Sequence, residues 1–198
     1  MIALRSWQNQ IRFRLLCSVF QYTLLNSLFA IDPGAIGSPR VGRDSKCLYT
    51  NLMTKLPKVK IFTDGSCEPN PGAGGWAALL IYPDNQIPLT GAEADTTNNR
   101  MELTAAVEAL CALPERSEVL FYTDSEYLRR GITEWMPGWR ARNWRRKGGT
   151  LANVDLWKAL DRIIGKHEIK WHWVKAHATN KFNNQVDQLA REAMKRGR

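Results

Sequence analysis

Residues 58–66 read Lys-Val-Lys-Ile-Phe-Thr-Asp-Gly-Ser, an apolar and β-branched run that closes on an acid and a glycine. Such a run predicts a strand over Val59–Asp64. Asp64 then falls at its C-terminal end, the rim where open α/β sheets bind ligands. Working outward, Gly75–Tyr82 and Ile87–Ala94 read as two further strands, with Pro83-Asp84-Asn85 as the hairpin turn between them. Three antiparallel neighbours are expected. The run Gly72-Ala73-Gly74-Gly75 lacks the lysine and following helix of a phosphate-binding loop, and it reads instead as a tight turn between strands.

Beyond Ala94 the period changes. Leu103, Ala106, Val107 and Leu110 follow helical spacing, Pro114 stops that helix, and Val119–Thr123 is a short apolar strand. A helix from Ser125, a Trp- and Arg-rich segment, a helix over Val154–Ile164, a strand over Ile169–Val174 and a last helix carrying Val186, Leu189, Ala190 and Ala193 complete the order βββαβααβα. This is an α/β domain over residues 58–198, with no internal repeat.

The 198 residues are 44% hydrophobic and 24% charged, enough apolar material for one core. The net charge is +9, but residues 1–57 hold seven Lys/Arg against two acids, leaving 21 basic and 17 acidic residues in 58–198. Within the domain, Arg129–Lys147 concentrates seven basic residues against Glu134, a local patch suited to a polyanion. Cys17, Cys47, Cys67 and Cys111 have neither the spacing of a zinc cluster nor that of a disulfide framework, so reduced thiols and a cytoplasmic location are expected. His167, His172 and His177 recur at an odd spacing on or beside a strand and would face opposite sides, so a three-histidine metal site is not expected.

Residues 1–57 differ in kind. Leu15–Ile31 is too short and too polar for a membrane span, and a Gly/Pro/Ser/Arg stretch follows. Three readings stay open: an acid-poor targeting segment, a disordered basic tail, or an untranslated extension with the start at Met53. The last is preferred, because Met53-Thr-Lys-Leu-Pro leads directly into the first strand. No membrane association and a monomer are expected.

Four acids fall where an α/β fold gathers side chains. Asp64 and Asp124 end strands; Glu102 lies in the first turn of its helix beside Ala106 and Ala109, and Asp187 sits beside Val186 and Ala190. Each has an ordinary alternative by itself: a turn at Asp64-Gly65, an N-cap at Asp124 or Ser125, a capping box between Asn99 and Glu102, a solvated helix acid at Asp187. Together, with Asn70, Asn98 and Asn99 beside them, they point to one cleft. Clustered carboxylates repel and call for cations, and Mg²⁺ prefers their oxygens. Two such ions can flank a scissile phosphate.

The motifs Ile61-Phe62-Thr63-Asp64-Gly65-Ser66, Asn70-Pro71-Gly72, Thr96-Thr97-Asn98-Asn99-Arg100-Met101-Glu102-Leu103, Thr123-Asp124-Ser125 and Trp173-Val174-Lys175-Ala176-His177, with Asp187 ten residues on, resemble type 1 ribonuclease H. The resemblance runs from about Val59 to Lys195. It implies a ribonuclease H-like mixed five-stranded sheet flanked by helices on both faces. It also implies endonucleolytic cleavage of the RNA strand of an RNA/DNA hybrid, leaving 5′-phosphate and 3′-hydroxyl ends, as in removal of replication primers and R-loops. On the same resemblance, Asp64, Glu102, Asp124 and Asp187 would hold two Mg²⁺ ions, with Mn²⁺ as an alternative, and His177 would assist proton transfer or product release.

Telling RNA from DNA requires contact with the 2′-hydroxyl, a role the resemblance puts on Gly65, Ser66, Asn70, Asn98 and Asn99. Thr97 and Asn153 would hold a DNA-strand phosphate. Trp135, Trp139, Arg140, Arg142, Trp144, Arg145 and Arg146 resemble the basic protrusion that grips the hybrid in bacterial members, cations on phosphates and indoles on sugars or bases. The alternative for this segment is a helix with its indoles in the core and its arginines in solvent. Two departures stand out: Glu126, a substrate-contact position, where the family commonly has glutamine, and Ala176 where glycine is frequent. A transposase or resolvase nuclease would share the acids but not the asparagines, and a non-catalytic hybrid binder would not need all four acids.

Overall fold

A computed structural model of the chain describes residues 55–146, 148–174 and 180–197. The readings made for the N-terminal extension, and those for Ala176 and His177, lie outside the described residues.

The first strand, β1 (Lys58–Cys67), is followed by β2 (Gly72–Ile81) and β3 (Gln86–Thr96) in antiparallel succession. The β2–β3 hairpin closes with the Tyr82 N–H donating to the Asn85 carbonyl at 2.8 Å, the turn expected from Pro83-Asp84-Asn85. Helix α1 (Asn98–Cys111) crosses to β4 (Glu118–Thr123), which lies parallel to β1. A short helix α2 (Glu126–Arg130) runs through a wide π-type turn (Gly131–Trp135) into α3 (Met136–Ala141). Helix α4 (Val154–Ile164), strand β5 (Glu168–Trp173) parallel to β4, and helix α5 (Lys181–Arg196) complete the chain. The five strands lie in the order β3-β2-β1-β4-β5.

Strand alternation divides the apolar residues between two faces. Val59, Ile61, Ala78 and Leu80 pack with Leu103, Val107 and Leu110 of α1 and with Trp157 and Leu160 of α4. Phe62, Ala77 and Leu79 point the other way, onto Val186 and Ala190 of α5. Helices therefore cover both faces, as the mixed-sheet reading requires.

Two sequence expectations are corrected. The glycine run 72–75 is not a turn but the first part of β2, and the turn is the segment 68–71 before it, where the Glu68 N–H reaches the Ala73 carbonyl at 3.1 Å. Gly75 is needed there because α5 lies directly on it: a Cβ at 75 would collide with the backbone at Ala190 and Met194. Close helix–strand approach, not chain reversal, explains the small residues. Likewise β1 does not end at Asp64 but continues to Cys67, because β2 goes on pairing with it through Cys67 and Gly74.

Candidate active site

The parallel pairing of β1 and β4 ends with Phe62 opposite Tyr122. Two residues farther along each strand come Asp64 and Asp124, so the register sets these acids side by side where β4 stops and β1 runs on. Glu102 arrives from α1, in its second turn rather than its first, since the helix begins at Asn98. Thr97 caps that helix by accepting from the Arg100 N–H at 3.3 Å, which displaces the expected Asn99 capping box. Arg100 then ties α1 to α4 through two hydrogen bonds to Asp155, at 2.9 and 3.2 Å. Asp187 enters from α5, on the opposite face of the sheet from α1. All four acids line a single cleft, together with Gly65, Ser66, Asn98 and Glu126.

Three of the acids are held by neighbouring side chains. Glu102 accepts from Asn98 Nδ2 at 3.0 Å and from the Ser125 hydroxyl. Ser125 also caps α2, accepting from the Leu128 N–H at 3.1 Å. Asp124 accepts from Asn183 Nδ2 at 3.2 Å, and Asp187 from Arg191 Nε at 2.9 Å. Asn183, only 4% exposed, has its other amide atom, Oδ1, buried with no partner among the described residues.

The electrostatics fit a cation. Burial, then the charges of Asp124 and Asp187, push the Asp64 carboxyl up to about 8. Burial pushes Glu102 up to about 7, against the lowering effect of its Ser125 hydrogen bond. Oxygen-rich, mutually repelling carboxylates suit a hard divalent ion that would relieve the repulsion. Among the described residues no three His, Cys, Asp or Glu side chains are already disposed to enclose an ion. The acids share a cleft without yet converging on one point.

The other expected residues are distributed as follows. Gly65 is buried beneath α1, while Ser66 and Asn98 face the cleft. Asn70 is linked to the head of α1, its Oδ1 accepting from the Asn98 N–H at 3.2 Å, and Asn99 is exposed beside it. Asn153 heads α4 in a left-handed conformation (φ 54°), with Nδ2 3.4 Å from the Tyr127 hydroxyl. Glu126 is ion-paired to Arg129.

The Trp/Arg segment stands apart from the acid cleft and divides its roles. Trp139 is 8% exposed, its ring 5.7 Å from Trp135 and 5.3 Å from Trp157, so most of its indole packs in the core, as the alternative for this segment expects. Trp135 and Trp144 are half-buried against the same core. Arg140 is bonded to Asp161. Arg142, Arg145 and Arg146 are exposed, and among the described residues no acid pairs with them.

Ser125 as the partner of Glu102, Asn183 as the partner of Asp124, and Arg191 were not singled out from sequence. For two of them a signal existed: 183, 187 and 191 are four apart, so they share a face of one helix.

The family model for RNase H matches residues 57–195. The chain belongs to the ribonuclease H family. The ribonuclease H of Hahella chejuensis is 54% identical over 141 residues, covering 71% of this chain and 95% of that protein. That of Granulibacter bethesdensis is 53% identical over 140 residues, covering 70% and 93%. Among solved structures, LC9-RNase H1, described as a type 1 RNase H with the type 2 active-site motif, superposes with a TM-score of 0.66 at 31% identity, covering 72% of this chain and 74% of that one. The match begins at Pro57, beside β1, and ends at Lys195, in α5.

Proposed function

We propose that the chain is an endonuclease that hydrolyses the RNA strand of RNA/DNA hybrids, using divalent cations held by Asp64, Glu102, Asp124 and Asp187. The observation that carries this reading is the convergence of four carboxylates, two of them held well above their ordinary range, in one cleft. Two Mg²⁺ ions, or Mn²⁺ in their place, would supply an activated water and a counter-charge for the leaving oxygen. The chain needs no nucleophile of its own. Its backbone holds Asp64 and Asp124 in fixed register, and Ser125 and Asn98 orient Glu102.

Substrate choice rests on Ser66, Asn70, Asn98 and Asn99, polar groups at the cleft margin suited to a 2′-hydroxyl. Thr97 and Asn153 flank a DNA-strand phosphate, and Arg142, Arg145 and Arg146 meet phosphates farther along the duplex. His177 serves proton transfer or product release. The protein works as a monomer in a reducing cytoplasm. Among the described residues no helix is long and apolar enough to cross a membrane.

The test is incubation with labelled RNA/DNA hybrid, duplex DNA and duplex RNA, with Mg²⁺ or with chelator, beside Asp64→Asn. Cleavage of the hybrid's RNA alone, lost on chelation and in the variant, is expected. Cleavage of duplex DNA, or activity surviving in Asp64→Asn, would overturn the proposal.

A further inference from the structure

Three of the four cleft acids are met by neutral donors: the Gly65 backbone at Asp64, Ser125 and Asn98 at Glu102, and Asn183 at Asp124. Asp187 differs. One turn farther along α5, the Arg191 guanidinium donates to Asp187 Oδ1 at 2.9 Å, with the two side chains 55% and 33% exposed. An acid placed four residues before an arginine is the favourable order for a helical pair. Arg191 also borders a second groove, lined by Ser66, Cys67, Glu68, Met194 and Lys195.

We propose that Arg191 is the resident counter-ion of Asp187, which a divalent cation must displace before it can use that carboxylate. The inference rests on the metal-dependent reading above and deepens it. A hydroxyl or amide donor leaves the carboxylate its full charge and one oxygen lone pair for an arriving ion. A guanidinium occupies the same charge and repels the newcomer. Arg191 therefore sets how tightly the Asp187 side of the cleft takes a cation. Before an ion arrives it also relieves repulsion among the acids. Lys195, one turn on, shares the helix and the sign of charge but borders only the second groove, so it is the natural control.

The experiment is calorimetric titration of Mn²⁺ alone into the full chain and its variants, each first checked for folding by circular dichroism. Arg191→Gln should tighten Mn²⁺ binding by about twofold, the worth of an exposed i,i+4 ion pair on a helix. Arg191→Lys should return most of the way to the parent affinity, and Lys195→Gln should gain less than Arg191→Gln. In an Asp187→Asn background, Arg191→Gln should give no gain. An unchanged or weakened affinity in Arg191→Gln, an equal gain in Lys195→Gln, or a gain that persists without Asp187 would overturn the proposal. Failure of the underlying reading shows elsewhere: the parent chain would take up no more Mn²⁺ than Asp64→Asn, and the counter-ion role would fall with it.

Discussion

Gly65 lies directly under the peptide that joins Met101 to Glu102: a Cβ at 65 would collide with the backbone of both residues. The missing side chain lets α1 sit close enough to β1 for Glu102 to share a cleft with Asp64. Fold and site thus meet at one glycine, and its neighbour on either side of that contact is an acid of the cleft.

Gly65→Ala should push α1 away from the sheet. The obstruction is backbone on both sides, so relief needs movement of the helix, and the cost expected for overpacking is ~1–3 kcal/mol. For a chain of this size that lowers the melting temperature by roughly 2–4 °C per kcal/mol. Thermal unfolding followed by circular dichroism checks it; a melting curve identical to the parent's would show that the helix and strand are less tightly apposed than the structure has them.

Asp64 gives a prediction in pH. Its carboxyl is raised from 3.8 to about 8 in the folded chain, so its contribution to stability is fully present below about pH 3.8 and is lost as the pH rises through 8. Glu102, raised from 4.5 to about 7, acts in the same direction. Without metal, the protein should therefore lose stability between pH 5 and pH 8.5. Asp64→Asn should flatten that decline and melt higher than the parent at pH 8.5. Added Mg²⁺ should stabilise the parent most at the high-pH end and the variant little. A metal-free melting temperature that rises from pH 5 to 8.5 would contradict the burial of these charges.

The arm should separate into binding and structural arginines. Replacing Arg142, Arg145 and Arg146 by Ala should weaken hybrid binding and flatten its salt dependence, by up to ~0.9 in log–log slope for each phosphate no longer neutralised. The melting temperature should hold. Arg140→Ala instead removes the partner of Asp161, so its effect should appear in stability first. Fluorescence anisotropy at several salt concentrations distinguishes the two; an unchanged slope in the triple variant would remove these arginines from the interface.

Trp139→Ala should behave as a core deletion. Its ring packs against Trp135 and Trp157 in the layer beneath the arm, and truncating a buried tryptophan typically costs ~3–5 kcal/mol. Urea unfolding should show that destabilisation. If the variant keeps parental stability but binds the hybrid more weakly, the indole touches substrate and is not an anchor.

Local sequence determined a great deal here. The period of two in 58–82, the period of 3.6 in 103–110 and 186–193, and the apolar run at 119–123 specify the strands and helices, because burial of one face imposes that periodicity. The acids are legible as positions beside these runs and stripes, although only Asp124 lies at an element's end. Strand boundaries were less legible: β1 outlasts Asp64 because β2 keeps pairing with it, and the glycines of 72–75 look like a turn until α5 is laid across them. The tertiary structure alone decided which neutral donor meets which acid. Ser125 meets Glu102 across 23 residues and Asn183 meets Asp124 across 59. No periodicity reports such pairings, since they depend on how α1, β4 and α5 converge from both faces of one sheet. Trp139 follows the same rule: composition marks it as aromatic and basic-flanked, but only packing against Trp157 decides whether its ring faces protein or solvent.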